Sequence, residues 1–155
     1  MSSRSSTSST SSSYTPRLCY ITKWPDFQGY GFNLHAEKER GGQYIGKIDD
    51  NSPAQDGGLL ENDRIIGVNG VNIENETHSE VINRIREGGN ETTLLVVDRD
   101  ADNYYKSKGI TVTDSLPETK RLATSKRSPR PGMYFVTPLF TKDMLSDYCK
   151  PYTLI

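Results

Sequence analysis

Long apolar runs are missing from this sequence. Nothing approaches the ~20 residues a helix needs to cross a bilayer. Hydrophobic residues make up only 33% of the chain, and its mean hydropathy is -0.69. So little apolar material cannot pack 155 residues end to end, and the core is expected in a subset of them. Chemistry-bearing side chains are as sparse. The histidines are His35 and His78, and the cysteines are Cys19 and Cys149. Their spacing fits no zinc or dithiol pattern. The two thiols read as separate residues of a reducing compartment, with a disulfide as the lesser alternative. No Gly-x-Ser-x-Gly, His-Glu-x-x-His or phosphate-loop lysine occurs. Without a nucleophile, base and orienter, or a metal cluster, the sequence does not read as an enzyme and implies no cofactor or metal. A charge imbalance is missing too: 19 Lys and Arg against 20 Asp and Glu leave -1, which argues against nucleic acid as a partner.

What is present begins with a leader, residues 1–15, made almost wholly of Ser and Thr and expected to be disordered. It has no apolar signal core and no Gly after Met1, so the expected address is the cytoplasm. From Arg17 the texture changes. Leu18 to Ile21, Phe32 to His35 and Gln43 to Ile48 alternate as short strands. Ser52 and Pro53 are a helix start, cap followed by first-turn proline, and Gly57-Gly58 ends that helix. Arg64–Val68 and Val71–Ile73 flank Asn69-Gly70, the most explicit tight turn in the chain. Thr77-His78-Ser79-Glu80 is a capping box, followed by Val81, Ile82 and Ile85 at helical spacing. Thr92–Val97 is a nearly continuous β-branched strand. The predicted architecture is mainly β with two α-helices, a partly open six-stranded barrel or sandwich capped by helices.

The glycines of Gly29-Tyr30-Gly31-Phe32 precede a strand. Such a stretch is either an ordinary turn or a nest of backbone N–H groups able to hold a carboxylate. The context favours the nest. The Gly-Tyr-Gly-Phe loop, Ser52-Pro53-Ala54 before Gly58-Leu59, Asp63-Arg64-Ile65-Ile66 before Val68-Asn69-Gly70, and His78 opening a helix occur in PDZ order and spacing. The chain resembles the PDZ family. More narrowly, Arg17-Leu18-Cys19, Gly29 to His35, Gly42 to Ile45 and Leu94 to Asp98 resemble the sodium/hydrogen-exchanger regulatory factor scaffolds. The resemblance divides the chain into the leader, a PDZ domain over 16–98, an extension packing on it over 99–113, a flexible linker or uncertain segment over 114–148, and a tail over 149–155.

The resemblance implies a scaffold or adaptor module that binds C-terminal peptides of type x-Ser/Thr-x-hydrophobic by strand addition. Its partners would be tails of membrane transporters or receptors, which would bring it to the plasma membrane as a peripheral protein. A purely structural, lipid-binding domain is the remote alternative. Tyr30, Gly31 and Phe32 would hold the peptide carboxylate, with Lys23 adding positive charge through water. Asn33, Leu34 and His35 on the strand, and His78, Ile82, Ile85 and Arg86 on the helix, would line the groove. His78 would set specificity, because a neutral imidazole offers one acceptor nitrogen to a ligand hydroxyl. A solvent-exposed histidine in a first helical turn is the plainer alternative. Close relatives carry a basic residue after Gln-Tyr-Ile, where this chain has Gly46, so preference for an upstream acid is not expected and Asn33 offers the polar contact instead.

Tyr152-Thr153-Leu154-Ile155 itself matches the ligand pattern, with a hydroxyl two residues before an apolar one. Thr153, Leu154 and Ile155 are therefore a candidate internal ligand, giving autoinhibition or self-association through the tail. Lys120-Arg121-Leu122-Ala123-Thr124 and Ser128-Pro129 resemble kinase sites in an exposed linker.

Overall fold

The computed structural model describes residues 14–126 and the backbone of Thr153 and Leu154. The elements follow one another as β1 (Arg17–Thr22), β2 (Phe32–Ala36), β3 (Gln43–Ile48), α1 (Pro53–Asp56), β4 (Arg64–Val68), β5 (Val71–Asn72), α2 (His78–Glu87), β6 (Glu91–Val97), α3 (Arg99–Lys108), β7 (Lys120–Ala123) and β8 (Thr153–Leu154). The sheet runs β7-β1-β6-β4-β3-β2-β8, with β5 turned back on β4. All neighbours are antiparallel except β7, which lies parallel to β1.

Local signals explain most boundaries. Asn69 and Gly70 both take positive φ, 50° and 84°, the mirror-image turn whose twist suits a two-residue hairpin between β4 and β5. The Ser52 hydroxyl accepts from Gln55 N, with Pro53 in the first turn of α1. The Thr77 hydroxyl accepts from Glu80 N while the Glu80 carboxylate accepts from Thr77 N, closing the capping box of α2.

β6 explains its own apolar run. Leu94 and Val96 face the main core, with Ile21, Phe32, Leu34 and Ile85, whereas Leu95 and Val97 face a second cluster with Leu18 and Ile66. Both faces of the strand are covered, so neither carries the usual polar alternation. The second face is covered by α3 through Ala101 and Tyr105. A buried ion pair ties the helix down: Arg64 Nη1 donates to Asp102 Oδ1 at 2.8 Å, and Lys106 Nζ reaches Asp102 Oδ2 at 3.1 Å. Cys19 is fully buried and burial pushes its thiol up to about 12, so it is packing material and not a reactive thiol.

The chain goes beyond the expected six strands and two helices in its extension. Residues 99–108 form a third helix, where only a packed extension was expected. Residues 114–126, expected to open a flexible linker, are docked. β7 pairs with β1, Leu122 packs against the main core, and Thr124 N donates to Tyr20 O at 2.8 Å. This segment has little apolar content, and its edge pairing supplies hydrogen bonds that hydropathy does not register. The Ser/Thr leader up to Ser13 and residues 127–152 lie outside the described residues.

Candidate peptide-binding groove

β2 and α2 meet in the main core through Phe32, Leu34, Ile82 and Ile85, and the Gly29–Phe32 loop leads into β2. Gly29 and Gly31 have φ of 73° and 88°, open to glycine at little cost. Gly31 is also pressed against α1: a Cβ there would lie 2.3 Å from Ser52 Cβ. The loop carbonyls are both occupied. Tyr30 O accepts from Ala54 N at 2.9 Å, and Gly31 O accepts from Asp49 N at 2.8 Å. A trans peptide sets its N–H opposite its C=O, so these two bonds turn the Gly31 N–H away from Ala54 and the Phe32 N–H away from Asp49. Both donors stand at the start of β2, where neighbouring backbone N–H groups suit a carboxylate.

Tyr30 is buried, and its hydroxyl donates to Gly89 O at 3.0 Å, tying the loop to the end of α2. Burial, with the Glu91 charge as a second cause, pushes this phenol up to about 12, so it remains a donor. Lys23 Nζ stands 5.0 Å from the Tyr30 ring centroid, bringing a positive charge beside the loop.

On the helix side, Ile82 and Ile85 are one turn and two turns from the first residue of α2, and both are buried with Phe32 and Leu34 in the main core. Arg86 is exposed near the C-terminal end of the helix. His78, at the first turn, is half-buried, and its Nδ1 lies 2.8 Å from Gln43 Oε1. An amide oxygen only accepts, so Nδ1 carries the proton and Nε2 is the lone-pair nitrogen. Burial first, and the His35 charge second, hold the His78 pKa below its ordinary 6.5. The ring is therefore a neutral acceptor at pH 7, which is what a ligand hydroxyl requires. Gln43 was not among the expected groove residues. It sits 35 positions from His78, a separation that no local pattern reveals.

Asn33 and Gly46 form a matched pair. Asn33 Oδ1 accepts from Lys47 N at 2.6 Å, and a Cβ on residue 46 would lie 2.1 Å from that same oxygen. The asparagine amide thus uses the space a side chain at 46 would need. His35 stacks on Tyr44, ring centroids 5.8 Å apart. Beside them is an open depression of about 610 Å³ lined by Asn33, His35, Gly46, Lys47, Glu61 and Asn62.

The outer edge of β2 is occupied. The backbone of β8 lies antiparallel along it, with Leu154 opposite Asn33 and Thr153 opposite Leu34. Among the expected residues, Tyr30, Phe32, Leu34, Ile82 and Ile85 share the main core, Gly31 precedes β2, Lys23 stands over Tyr30 and His78 meets Gln43. Asn33 and His35 instead line the depression beside β3, Arg86 is exposed, and the Thr153–Leu154 backbone pairs with β2. Ile155 lies outside the described residues.

Comparison with known proteins agrees with this geometry. A PDZ domain model matches residues 25–97. The Na(+)/H(+) exchange regulatory cofactor NHE-RF2 of Oryctolagus cuniculus is 50% identical over 103 residues, 66% of this chain and 32% of its own length. NHE-RF1 of Gallus gallus is 52% identical over 91 residues, 59% of this chain and 27% of its own. The regulatory cofactor-like protein nrfl-1 of Caenorhabditis elegans is 41% identical over 115 residues, 74% of this chain and 24% of its own. The chain thus spans about a quarter to a third of the length of these curated relatives. The glycine loop, the capped helix and this half-identity show that residues 25–97 are a PDZ domain, with the Na(+)/H(+) exchange regulatory cofactors as its relatives over that region.

Proposed function

We propose that this domain is a non-catalytic adaptor that captures C-terminal peptides of the pattern x-Ser/Thr-x-hydrophobic, adding them as an antiparallel strand to β2. The observation that carries the reading is the His78–Gln43 contact, which leaves Nε2 as an acceptor at the first turn of α2. The peptide carboxylate is received by the Gly31 and Phe32 N–H groups with Lys23 nearby, and the last side chain enters between Phe32, Leu34, Ile82 and Ile85. Upstream side chains meet Asn33, Gly46 and the depression beside them, with no basic group at 46 to select an acid. Tails of membrane transporters or receptors suit this chemistry, and such partners would hold the protein at the cytoplasmic face of the plasma membrane.

One observation favours a second reading of the same groove. The antiparallel pairing of Thr153 with Leu34 is the position a ligand hydroxyl residue takes in strand addition. Residues 149–155 then serve as an internal ligand that competes with partners, in cis or between copies.

Calorimetric titration tests both. Peptides ending Tyr-Thr-Leu-Ile and Tyr-Ala-Leu-Ile are added to the full chain and to a chain lacking residues 152–155. Binding of the Thr peptide, weakened by the Ala change, supports the groove, and tighter binding to the shortened chain supports the internal ligand. Failure of both peptides on both chains would sink the strand-addition reading. Equal affinity of the two chains would sink tail competition while leaving the groove intact.

A further inference from the structure

Residues 120–125 are a strap across the back of the domain, and its last two hydroxyls sit at a junction. Thr124 is 8% exposed and its Oγ1 donates to Pro53 O at 2.8 Å. Ser125 donates through N at 2.5 Å and through Oγ at 2.7 Å to Asp56 Oδ2. Both anchors lie on α1, whose Ala54 N holds Tyr30 O in the carboxylate loop. A second route runs through Trp24, in the loop leading to Gly29, whose indole Nε1 donates to Ser125 O at 2.8 Å. The strap therefore buttresses the carboxylate loop from behind by two independent connections.

The sequence around the junction reads Lys120-Arg121-Leu122-Ala123-Thr124-Ser125-Lys126-Arg127. Arg121 stands three residues before Thr124, and basic residues follow it, the charge pattern read by basic-directed protein kinases. In the docked strap the Arg121 guanidinium is tied to Tyr20 Oη at 2.9 Å and Asp114 O at 3.4 Å. A four-residue edge strand with one partner is drawn from the easily opened end of a fold, and opening frees both the hydroxyl and the arginine together.

We propose that Thr124 is a phosphorylation site for a basic-directed Ser/Thr kinase, and that its phosphate unlatches the strap and loosens the carboxylate loop. In the transfer, Thr124 Oγ1 attacks the γ-phosphorus of ATP. The bond from that phosphorus to the bridging oxygen breaks, ADP leaves, and the hydroxyl proton passes to the kinase base. The modified oxygen has no hydrogen left for Pro53 O. A group of nearly two negative charges cannot return to a site where Thr124 Oγ1 is already 2.8 Å from the Cβ position of Gly57 and the Asp56 carboxylate is one residue away. Its effect on ligand rests on the groove reading above, but the unlatching itself does not.

Trp24 supplies a local readout, being the single tryptophan of the chain and 6% exposed. The full chain is incubated with a purified basic-directed kinase and ATP, with a peptide of residues 118–128 and the Arg121→Gln chain alongside. Phosphate is mapped by fragmentation mass spectrometry, and Trp24 emission, amide exchange over 120–125 and peptide binding are then measured. Expected are phosphate on Thr124, none on the Arg121→Gln chain, a red-shifted Trp24 emission, loss of protection in the strap, and peptide affinity lowered on the order of tenfold. Absence of phosphate from Thr124 in the full chain, whether or not the short peptide is modified, overturns the proposal. So does a phosphorylated chain with unchanged emission and protection. Emission and protection that change in a chain that never binds peptide would keep the latch and reject only the groove reading.

Discussion

Replacing Gln43 by Leu tests how the groove reads a hydroxyl. Gln43 is 5% exposed and its Oε1 is the partner of His78 Nδ1. Leucine keeps much of the volume and removes the acceptor that fixes the proton on Nδ1. A ligand-hydroxyl hydrogen bond to Nε2 is worth ~1 kcal/mol net, or about fivefold in affinity for Thr over Ala. If the unheld ring divides evenly between its tautomers, only half the molecules present an acceptor, and apparent affinity for the Thr peptide falls about twofold. The Thr-over-Ala preference is therefore expected to drop from about fivefold to between two- and threefold. His78→Ala removes it altogether. Long-range nitrogen–proton NMR reads the tautomer directly while competition titration reads the preference. The sign of the pH effect is set by the depressed His78 pKa. Above the ordinary 6.5 the preference is constant, and it disappears as pH falls below that value and Nε2 takes a proton. In that same window the unfolded chain binds more protons than the folded one, so acidification also costs stability. A wild-type ring protonated on Nε2 at pH 7 would refute the reasoning. So would a Leu variant with mixed tautomers and an undiminished preference for Thr.

Other perturbations have equally definite outcomes. Thr77→Ala opens the capping box of α2 and should cost ~1 kcal/mol in urea unfolding, with no change in the denaturant slope. Asn33→Ala and Gly46→Ala each break the Asn33–Lys47 hydrogen bond, but the double variant also removes the overlap. A double-mutant cycle by thermal unfolding should return a favourable coupling of roughly 1 kcal/mol, and strict additivity would show the pair is independent. Asp102→Ala leaves Arg64 buried without its main partner and is expected to cost ~3–5 kcal/mol, whereas replacing Arg64 and Asp102 together with apolar residues should recover much of that loss.

How far the sequence discloses this structure depends on the range of each signal. Ser52-Pro53, Thr77 to Glu80 and Asn69-Gly70 act within four residues, and each produces the cap or turn it predicts. The limits of β3 and β4 coincide with the expected ones, although β4 is buried throughout and β3 buries Gln43, Tyr44 and Ile45 in succession. α3 escaped for a physical reason: Arg99 to Lys108 is strongly polar, and it buries Ala101, Asp102 and Tyr105 with Tyr104 partly covered beside them. Its ends were nevertheless written in the chain, since the Asp98 side chain accepts from Ala101 N and Gly109 closes the helix at φ 65°. Gln43, Trp24 and the Thr124–Pro53 contact were beyond reach, because their partners lie 35, 101 and 71 positions away and depend on the finished fold.

The order of the sheet has one more consequence. Every open sheet has two free margins, and each is a template onto which another chain can add. Here one margin, β2, is lined by β8, and the other, β1, is lined by β7. The new outer margin at β7 is only four residues long and carries exposed Lys120 and Arg121. Fibre-like stacking needs two receptive margins on every copy, and a short cationic one resists being the second. If β2 does take up partner strands as proposed, the short cationic margin at β7 keeps that addition from propagating from copy to copy.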